Sequence, residues 1–271
     1  MKNLNGIKCR ITNKYSLFTF NNFTDEIANA IRAQFSEICW GIDDANSNES
    51  MYSYHSTIKE FLIRYDSKSE DIKVGMIGEI LIHMIIRNYF NNYKVISPFF
   101  NISERSIKKG YDIVLTNDNN NDIWILEVKS GCIHKNKSAT ESMSDLISFA
   151  NSDLKKRLNN ENLSLWKTAI NDAKIAISSS DSGKKTILKL LHRYADEAVN
   201  SKYISKNKNV FLNGVIFADL DDSVDENTIK RKQESINANG DFNSVYIISV
   251  QKKTIEKIYD FLKSELNKNE N

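Results

Sequence analysis

The feature that most constrains this fold is a nearly continuous apolar stretch at residues 210–218, with the sequence VFLNGVIFA. A strand with one face in water alternates apolar and polar side chains, whereas a strand covered on both faces is apolar along its length. The stretch therefore predicts an interior strand of a β-sheet that carries helices on both of its faces.

The rest of the chain supplies helices and further strands in a matching order. A helix over about residues 74–90 is apolar over most of its circumference, which predicts that it is buried. The predicted segments after it are strands at 94–100, 111–116, 123–130 and 245–250, a turn at 117–122, three helices between residues 143 and 198, and a closing helix from 255 to 266. This order predicts an α/β fold in which helices flank a central mixed sheet.

The first seventy residues form a segment of their own in the sequence pattern. Two short strands precede a helix that starts at Thr24, whose hydroxyl can cap free backbone amides. A second short helix follows, and the polar stretch at residues 66–71 is the best candidate for a boundary. We therefore expect an N-terminal α/β extension over residues 1–70, with an accessory or partner-binding role, and a second domain over residues 71–271.

The strand predicted at residues 123–130 carries two charges on an otherwise apolar sequence. Side chains alternate between the two faces of a strand, so Glu127 and Lys129 share one face with Ile125. The cost of burying either charge alone is high, and something must compensate both of them. This strand is therefore the best candidate for a site with a chemical role.

Two further carboxylates are placed to join this strand. Asp112 is the one acid of the preceding strand, and an antiparallel hairpin would bring it close to Glu127. Glu79 lies in the apolar helix beside Gly75 and Gly78, which would let that helix approach the sheet closely. A metal ion shared by Glu79, Asp112 and Glu127 would supply the compensating charge.

Simpler interpretations of the same residues exist. A Glu-x-Lys pair on a strand is often a surface ion-pair ladder, and Glu79 could form a salt bridge with a Lys or Arg. Asp112 could cap a turn after Gly110. His83, four residues after Glu79 on the same helix face, is expected to be a core histidine or to support the site from outside it.

The combined pattern resembles the PD-(D/E)XK nuclease superfamily. The similarity rests on GYD at 110–112, ILEVK at 125–129 and a preceding helix with GE at 78–79; Tyr111 stands where the signature has proline. The resemblance implies a restriction-endonuclease-like core over about residues 71–220. It also implies Mg²⁺ or Mn²⁺ bound by Asp112 and Glu127, a lysine, Lys129, that assists the attacking water, and Glu79 completing the site.

A narrower similarity is to the nuclease subunit of Hachiman-type anti-phage defence systems. It rests on VGMIGEILIH at 74–83, on KGYD at 109–112 and on the chain length. This resemblance implies a nuclease effector of bacterial defence with a helicase partner and with nucleic acid as substrate, DNA rather than RNA. The alternative is a catalytically silent nuclease-fold module that binds nucleic acid or a partner protein.

Composition adds little to these predictions. The formal net charge is only +2, so the overall charge does not indicate a nucleic-acid binder, although basic clusters occur, among them 108–109, 155–157, 230–232 and 252–253. The first residues lack the apolar run of a signal peptide, no stretch is long enough to span a membrane, and three scattered cysteines do not suggest disulfides. We therefore expect a cytoplasmic protein.

Overall fold

The core of the molecule is a mixed β-sheet. The computed structural model describes residues 4–100, 110–118, 122–160, 163–200 and 205–268, and within them the sheet has seven strands in the order β1-β2-β7-β6-β5-β4-β3. The strands are β1 (Ile7–Ile11), β2 (Tyr15–Phe20), β3 (Tyr93–Val95), β4 (Ile113–Asn117), β5 (Ile123–Cys132), β6 (Asn209–Phe217) and β7 (Ser244–Lys252). The central strands β2, β7, β6 and β5 run parallel, and antiparallel pairs β1–β2 and β4–β3 extend both edges.

Helices cover both faces of the sheet, as the apolar stretch at 210–218 predicts. The helices are α1 (Asp25–Trp40), α2 (Ile42–Ala45), α3 (Tyr54–Asp66), α4 (Glu70–Tyr89), α5 (Ala139–Asn159), α6 (Leu163–Ala176), α7 (Lys184–Asn200), α8 (Glu226–Ala238) and α9 (Glu256–Asn267). The core on the first face packs α1, α3, α4 and α9 against Leu126 and Phe211, and the core on the second face packs α5 to α8 against Ile125 and Leu212. Every residue of β6 is buried. The predicted α/β fold with a mixed sheet flanked by helices is confirmed.

Local signals place several elements correctly. The hydroxyl of Thr24 accepts a hydrogen bond from the Ile27 amide and starts α1, as predicted. Gly78 lets α4 approach the sheet, because a β-carbon there would lie 1.8 Å from the Ser130 hydroxyl. Gly75 has no such role, since nothing lies within 4 Å of a β-carbon at that position. The close approach predicted for both glycines therefore belongs to Gly78 alone.

The strand predicted at residues 94–100 is wrong beyond Val95. After β3 the chain turns away from the sheet, and the amides of Phe99 and Phe100 donate to the carbonyls of Ile38 and Cys39 at the end of α1. Ile96 still donates its amide to the carbonyl of Val114 in β4, whereas the amides of Phe99 and Phe100 are satisfied by a helix end rather than by a neighbouring strand.

Helix α8 has no counterpart among the predicted elements. Its buried face is thin, formed by Ile229, Gln233 and Ile236, and the rest of the helix is polar. A helix with so few apolar positions gives only a weak periodic signal. Asp225 caps it by accepting a hydrogen bond from the Thr228 amide.

The N-terminal segment contributes to the same sheet as the remainder of the chain. Strand β2 pairs in parallel with β7, and residues of α1 and α3 lie in the core of the first face. The boundary near residue 70 stays a prediction. The basic pair at 108–109 and the tip of the turn at 119–121 lie outside the described residues.

Among the helices of the described ranges, none is both long enough and apolar enough to cross a membrane.

Candidate active site

The two charges of β5 lie on the second face of the sheet, as strand alternation predicts. Leu126 packs in the core of the first face, whereas Ile125 packs in the core of the second. The side chain of Glu127 is only 3% exposed, and its Oε1 lies 3.1 Å from Lys129 Nζ. The two residues form an ion pair, but the burial of Glu127 distinguishes the pair from a surface ladder.

Asp112 lies immediately before β4 rather than within it. The strand begins at Ile113, which pairs with Leu126, so the antiparallel hairpin carries Asp112 to the level of Glu127. Asp112 Oδ2 accepts a hydrogen bond of 2.7 Å from the Val128 amide. The carboxylate therefore also satisfies a backbone donor of β5, at a position beyond the point where the β4–β5 ladder ends.

Lys129 is held by a second acid that the sequence did not point to. Its Nζ lies 2.7 Å from Oδ2 of Asp153 on α5, besides the contact to Glu127. Burial by itself lowers the pKa of Lys129, but the hydrogen bonds to Asp153 and Glu127 outweigh it, and the pKa is raised. The ammonium group therefore keeps its charge at neutral pH.

Arg157 joins the two carboxylates from one turn further along α5. Its Nη1 lies 2.6 Å from Glu127 Oε2 and 3.7 Å from Asp112 Oδ1, and its Nη2 donates to the carbonyl of Gly110. The guanidinium also lies over the ring of Tyr111, with 5.5 Å between its carbon and the ring centroid. We refer to these five side chains as the Glu127 cluster: Asp112, Glu127, Lys129, Asp153 and Arg157.

The sequence placed Arg157 only in a basic run and did not single out Asp153. Positions 153 and 157 are four apart, so they share one side of α5, and they flank the buried Leu154 and Leu158. One sequence signal could have identified Asp153 and Arg157. It is an acid and a base four residues apart, beside the apolar stripe of the helix that follows the Glu-x-Lys strand.

The electrostatics of the cluster are unbalanced around Glu127. Burial is the largest effect on this carboxyl and raises its pKa, and the neighbouring Asp112 charge raises it further. Arg157 and Lys129 lower the pKa of Glu127 but do not offset these effects. The five side chains comprise three carboxylates and two cations, and the Glu127 carboxyl, the most buried of the three acids, has a raised pKa.

Glu79 occupies a different setting. It lies on α4, which covers the first face of the sheet, and its Oε1 is 3.9 Å from Nε2 of the fully buried His83. Across the described segments, no three Asp, Glu, His or Cys side chains are arranged to hold a metal ion together. The structure thus brings Asp112, Glu127 and Lys129 together and leaves Glu79 out of that group.

The donor set of the cluster nevertheless fits a hard divalent cation. Asp112 and Glu127 offer carboxylate oxygens, which Mg²⁺ and Mn²⁺ prefer. A positive group already lies between the two carboxylates, since Arg157 Nη1 approaches both of them. These two acids are the residues that could hold a metal ion.

The protein thus has a layered α/β fold. Two carboxylates, Asp112 and Glu127, and the ammonium group of Lys129 lie together where the β4–β5 hairpin joins the parallel part of the sheet. The family model described as HamA matches residues 3–266, and the chain belongs to the HamA family. This match supports a Hachiman-type protein, and membership fits a role in Hachiman anti-phage defence. A comparison with curated proteins finds no match.

Proposed function

We propose that this protein is a metal-dependent nuclease that hydrolyses phosphodiester bonds, with DNA as its substrate, and that it is an effector of Hachiman defence. The observation that carries the proposal is the convergence of Asp112, Glu127 and Lys129. These are the positions that match the PD-(D/E)XK signature. Membership of the HamA family supports the defence role.

The chemistry of the cluster suits phosphodiester hydrolysis. A divalent cation bound there would lower the pKa of a water molecule and offset the negative charge that develops on the phosphate. Asp112 and Glu127 would hold that ion through their oxygens. Lys129, charged and oriented by Asp153, would donate a hydrogen bond to the attacking water or to a phosphate oxygen.

The resemblance also assigns a metal-ligand role to Glu79. Because Glu79 lies beside His83 and apart from the other two acids, this role is the part of the proposal with the least structural support. A Glu79→Gln variant separates the two interpretations. Loss of cleavage with an unchanged melting temperature would support a role in the site, whereas lower stability with intact cleavage would indicate a structural one.

The direct test is cleavage of plasmid and linear DNA by the full-length protein, with and without Mg²⁺. Wild type is compared with Glu127→Ala and Lys129→Ala, and with Lys137→Ala as a control, because Lys137 pairs with Asp145 away from the cluster. We expect metal-dependent cutting that the first two variants lose and the control keeps. Equal cutting by all four proteins would contradict the site assignment.

The same assay distinguishes the nuclease from a silent binding module. The proposal includes a helicase partner, so the assay is repeated with that protein added. DNA binding without cleavage under both conditions would contradict the nuclease and support a module that only binds.

A further inference from the structure

We propose that Arg157 is an internal counter-ion, which holds Asp112 and Glu127 together in the metal-free protein and is displaced when a divalent cation binds. This inference rests on the proposed metal site. It assigns Arg157 a positioning role that the Glu-x-Lys signature does not contain.

The contacts of Arg157 place its charge where a shared ion would lie. One nitrogen, Nη1, is 2.6 Å from Glu127 and 3.7 Å from Asp112. A Mg²⁺ ion binds carboxylate oxygens at about 2.0–2.1 Å. An ion bound to both acids would therefore lie within a few ångströms of Nη1, and the two positive groups cannot occupy that position at the same time.

The way in which Arg157 is held permits an exchange. Its backbone is fixed in the last turn of α5, where a cation also suits the helix dipole. Only the guanidinium reaches the site, held by Gly110 and by the face of Tyr111, and the side chain is 26% exposed. Rotation of this long side chain toward solvent would free both carboxylates without moving the helix.

A second feature of α5 fits this interpretation. Asp153 binds Lys129 one turn before Arg157, so the two side chains hold opposite members of the Glu-x-Lys pair. Lys129 contacts Glu127 through Oε1, whereas Arg157 contacts it through Oε2. Displacement of Arg157 would therefore leave the Lys129 contact in place and expose the other oxygen to the ion.

The test is Mn²⁺ binding measured by calorimetry on the full-length protein without DNA. The variants are Arg157→Gln and, as a matched control, Lys156→Gln, which removes the same charge from the neighbouring exposed position. We expect Arg157→Gln to bind Mn²⁺ about tenfold more tightly than wild type, because a competing charge is gone, and Lys156→Gln to differ little.

Each outcome has a distinct meaning. If wild type binds Mn²⁺ and Arg157→Gln binds it equally or more weakly, Arg157 is not a competitor, and the inference is overturned while the metal site stands. If neither protein binds Mn²⁺, both the inference and the metal site fail.

Wild type offers a second measurement in case Arg157→Gln does not fold. In protein labelled with ¹⁵N-arginine, saturating Mg²⁺ should move the Arg157 side-chain signal from its position in the metal-free protein. The signal is identified by its absence from Arg157→Lys. A signal that stays unchanged while Mg²⁺ binds would overturn the inference.

Discussion

Two buried glutamates, each paired with an arginine, have opposite electrostatic surroundings. Glu265 on α9 receives Nε and Nη2 of Arg32 at 2.6 and 2.9 Å and Nζ of Lys268 at 2.7 Å, and these partners lower its pKa to about 2. Glu127 on β5 contacts Arg157 at the same 2.6 Å, yet its pKa is raised. The distance to the arginine therefore does not decide the state of the carboxyl.

Burial and the sign of the other neighbours decide it, and burial is the largest effect on the Glu127 pKa. Glu265 has two cations and joins α1 to α9, so its charge is fully compensated and its role is to fix one helix against another. Burial of the Glu127 carboxyl, together with repulsion from Asp112, outweighs the stabilisation that Arg157 and Lys129 supply. A compensated glutamate indicates structure, whereas an undercompensated one indicates a site that further positive charge would stabilise.

The largest expected effect is on catalysis, in a comparison of Glu127→Gln with Glu265→Gln. If the contrast is functional, Glu127→Gln should lower the DNA cleavage rate by at least about a hundredfold, because a ligand oxygen becomes an amide. Glu265→Gln should cut like wild type, since it lies in a different cluster. Equal losses of cleavage rate in the two variants would break the comparison.

The next largest effect is on the free energy of unfolding, where Glu265→Gln and not Glu127→Gln is expected to cause the loss. Glu265→Gln removes the charge from a double hydrogen bond with Arg32 and should lower the free energy of unfolding by about 1–2 kcal/mol. Glu127→Gln removes a repelled charge and should leave the free energy of unfolding unchanged or raise it. Urea unfolding of both variants measures the difference, and a larger loss in Glu127→Gln would contradict the electrostatic contrast.

Acid should weaken the Glu265 contribution in a defined range. The pKa of Glu265 in the folded protein is about 2, below its ordinary value of 4.5. Its ionised form therefore stabilises the folded state in full at pH values above 4.5. The contribution is lost as pH falls from 4.5 toward 2. The stability difference between wild type and Glu265→Gln should therefore shrink between about pH 5 and about pH 3. A difference that is constant over this range would show that the Glu265 charge is not what stabilises the fold.

A smaller effect concerns the acid that holds Lys129. Asp153→Asn should lower the cleavage rate by about tenfold, because Lys129 loses the partner that orients it and helps to keep it charged. Asp145→Asn is the control, since Asp145 lies on the same helix and pairs with Lys137 instead. A pH–rate profile is measured as well, and Asp153→Asn should lower the pH at which Lys129 loses its proton. An unchanged cleavage rate and an unchanged pH–rate profile would show that Asp153 does not act through Lys129.

The sequence predicted those features that depend on local patterns. The alternation along β5 placed Glu127 and Lys129 on one face, and the hairpin that brings Asp112 near them followed from a turn-rich segment between two strands. The helix that starts at Thr24 and the doubly covered strand β6 were predicted in the same way. Each of these features is encoded within a few neighbouring residues.

The features that the sequence did not predict depend on tertiary packing. The pairing of β2 with β7 joins the two ends of the chain, and no local pattern specifies which distant strand is the neighbour. Asp153 and Arg157 reach the site because of where α5 packs along β5 on the second face. The periodicity of α5 shows which of its faces is buried but not where along the strand it packs. Glu79 lies on α4, which covers the other face of the sheet, so its part in a shared site stays a prediction.

The most direct test of a cation-binding site at Glu127 is the melting temperature of the full-length protein with and without saturating Mn²⁺. We expect Mn²⁺ to raise the melting temperature of wild type by a few degrees, because binding to the folded state alone stabilises it. We expect the same rise in Glu265→Gln and none in Glu127→Gln. A rise of equal size in Glu127→Gln, or no rise in wild type, would contradict a cation-binding site at Glu127.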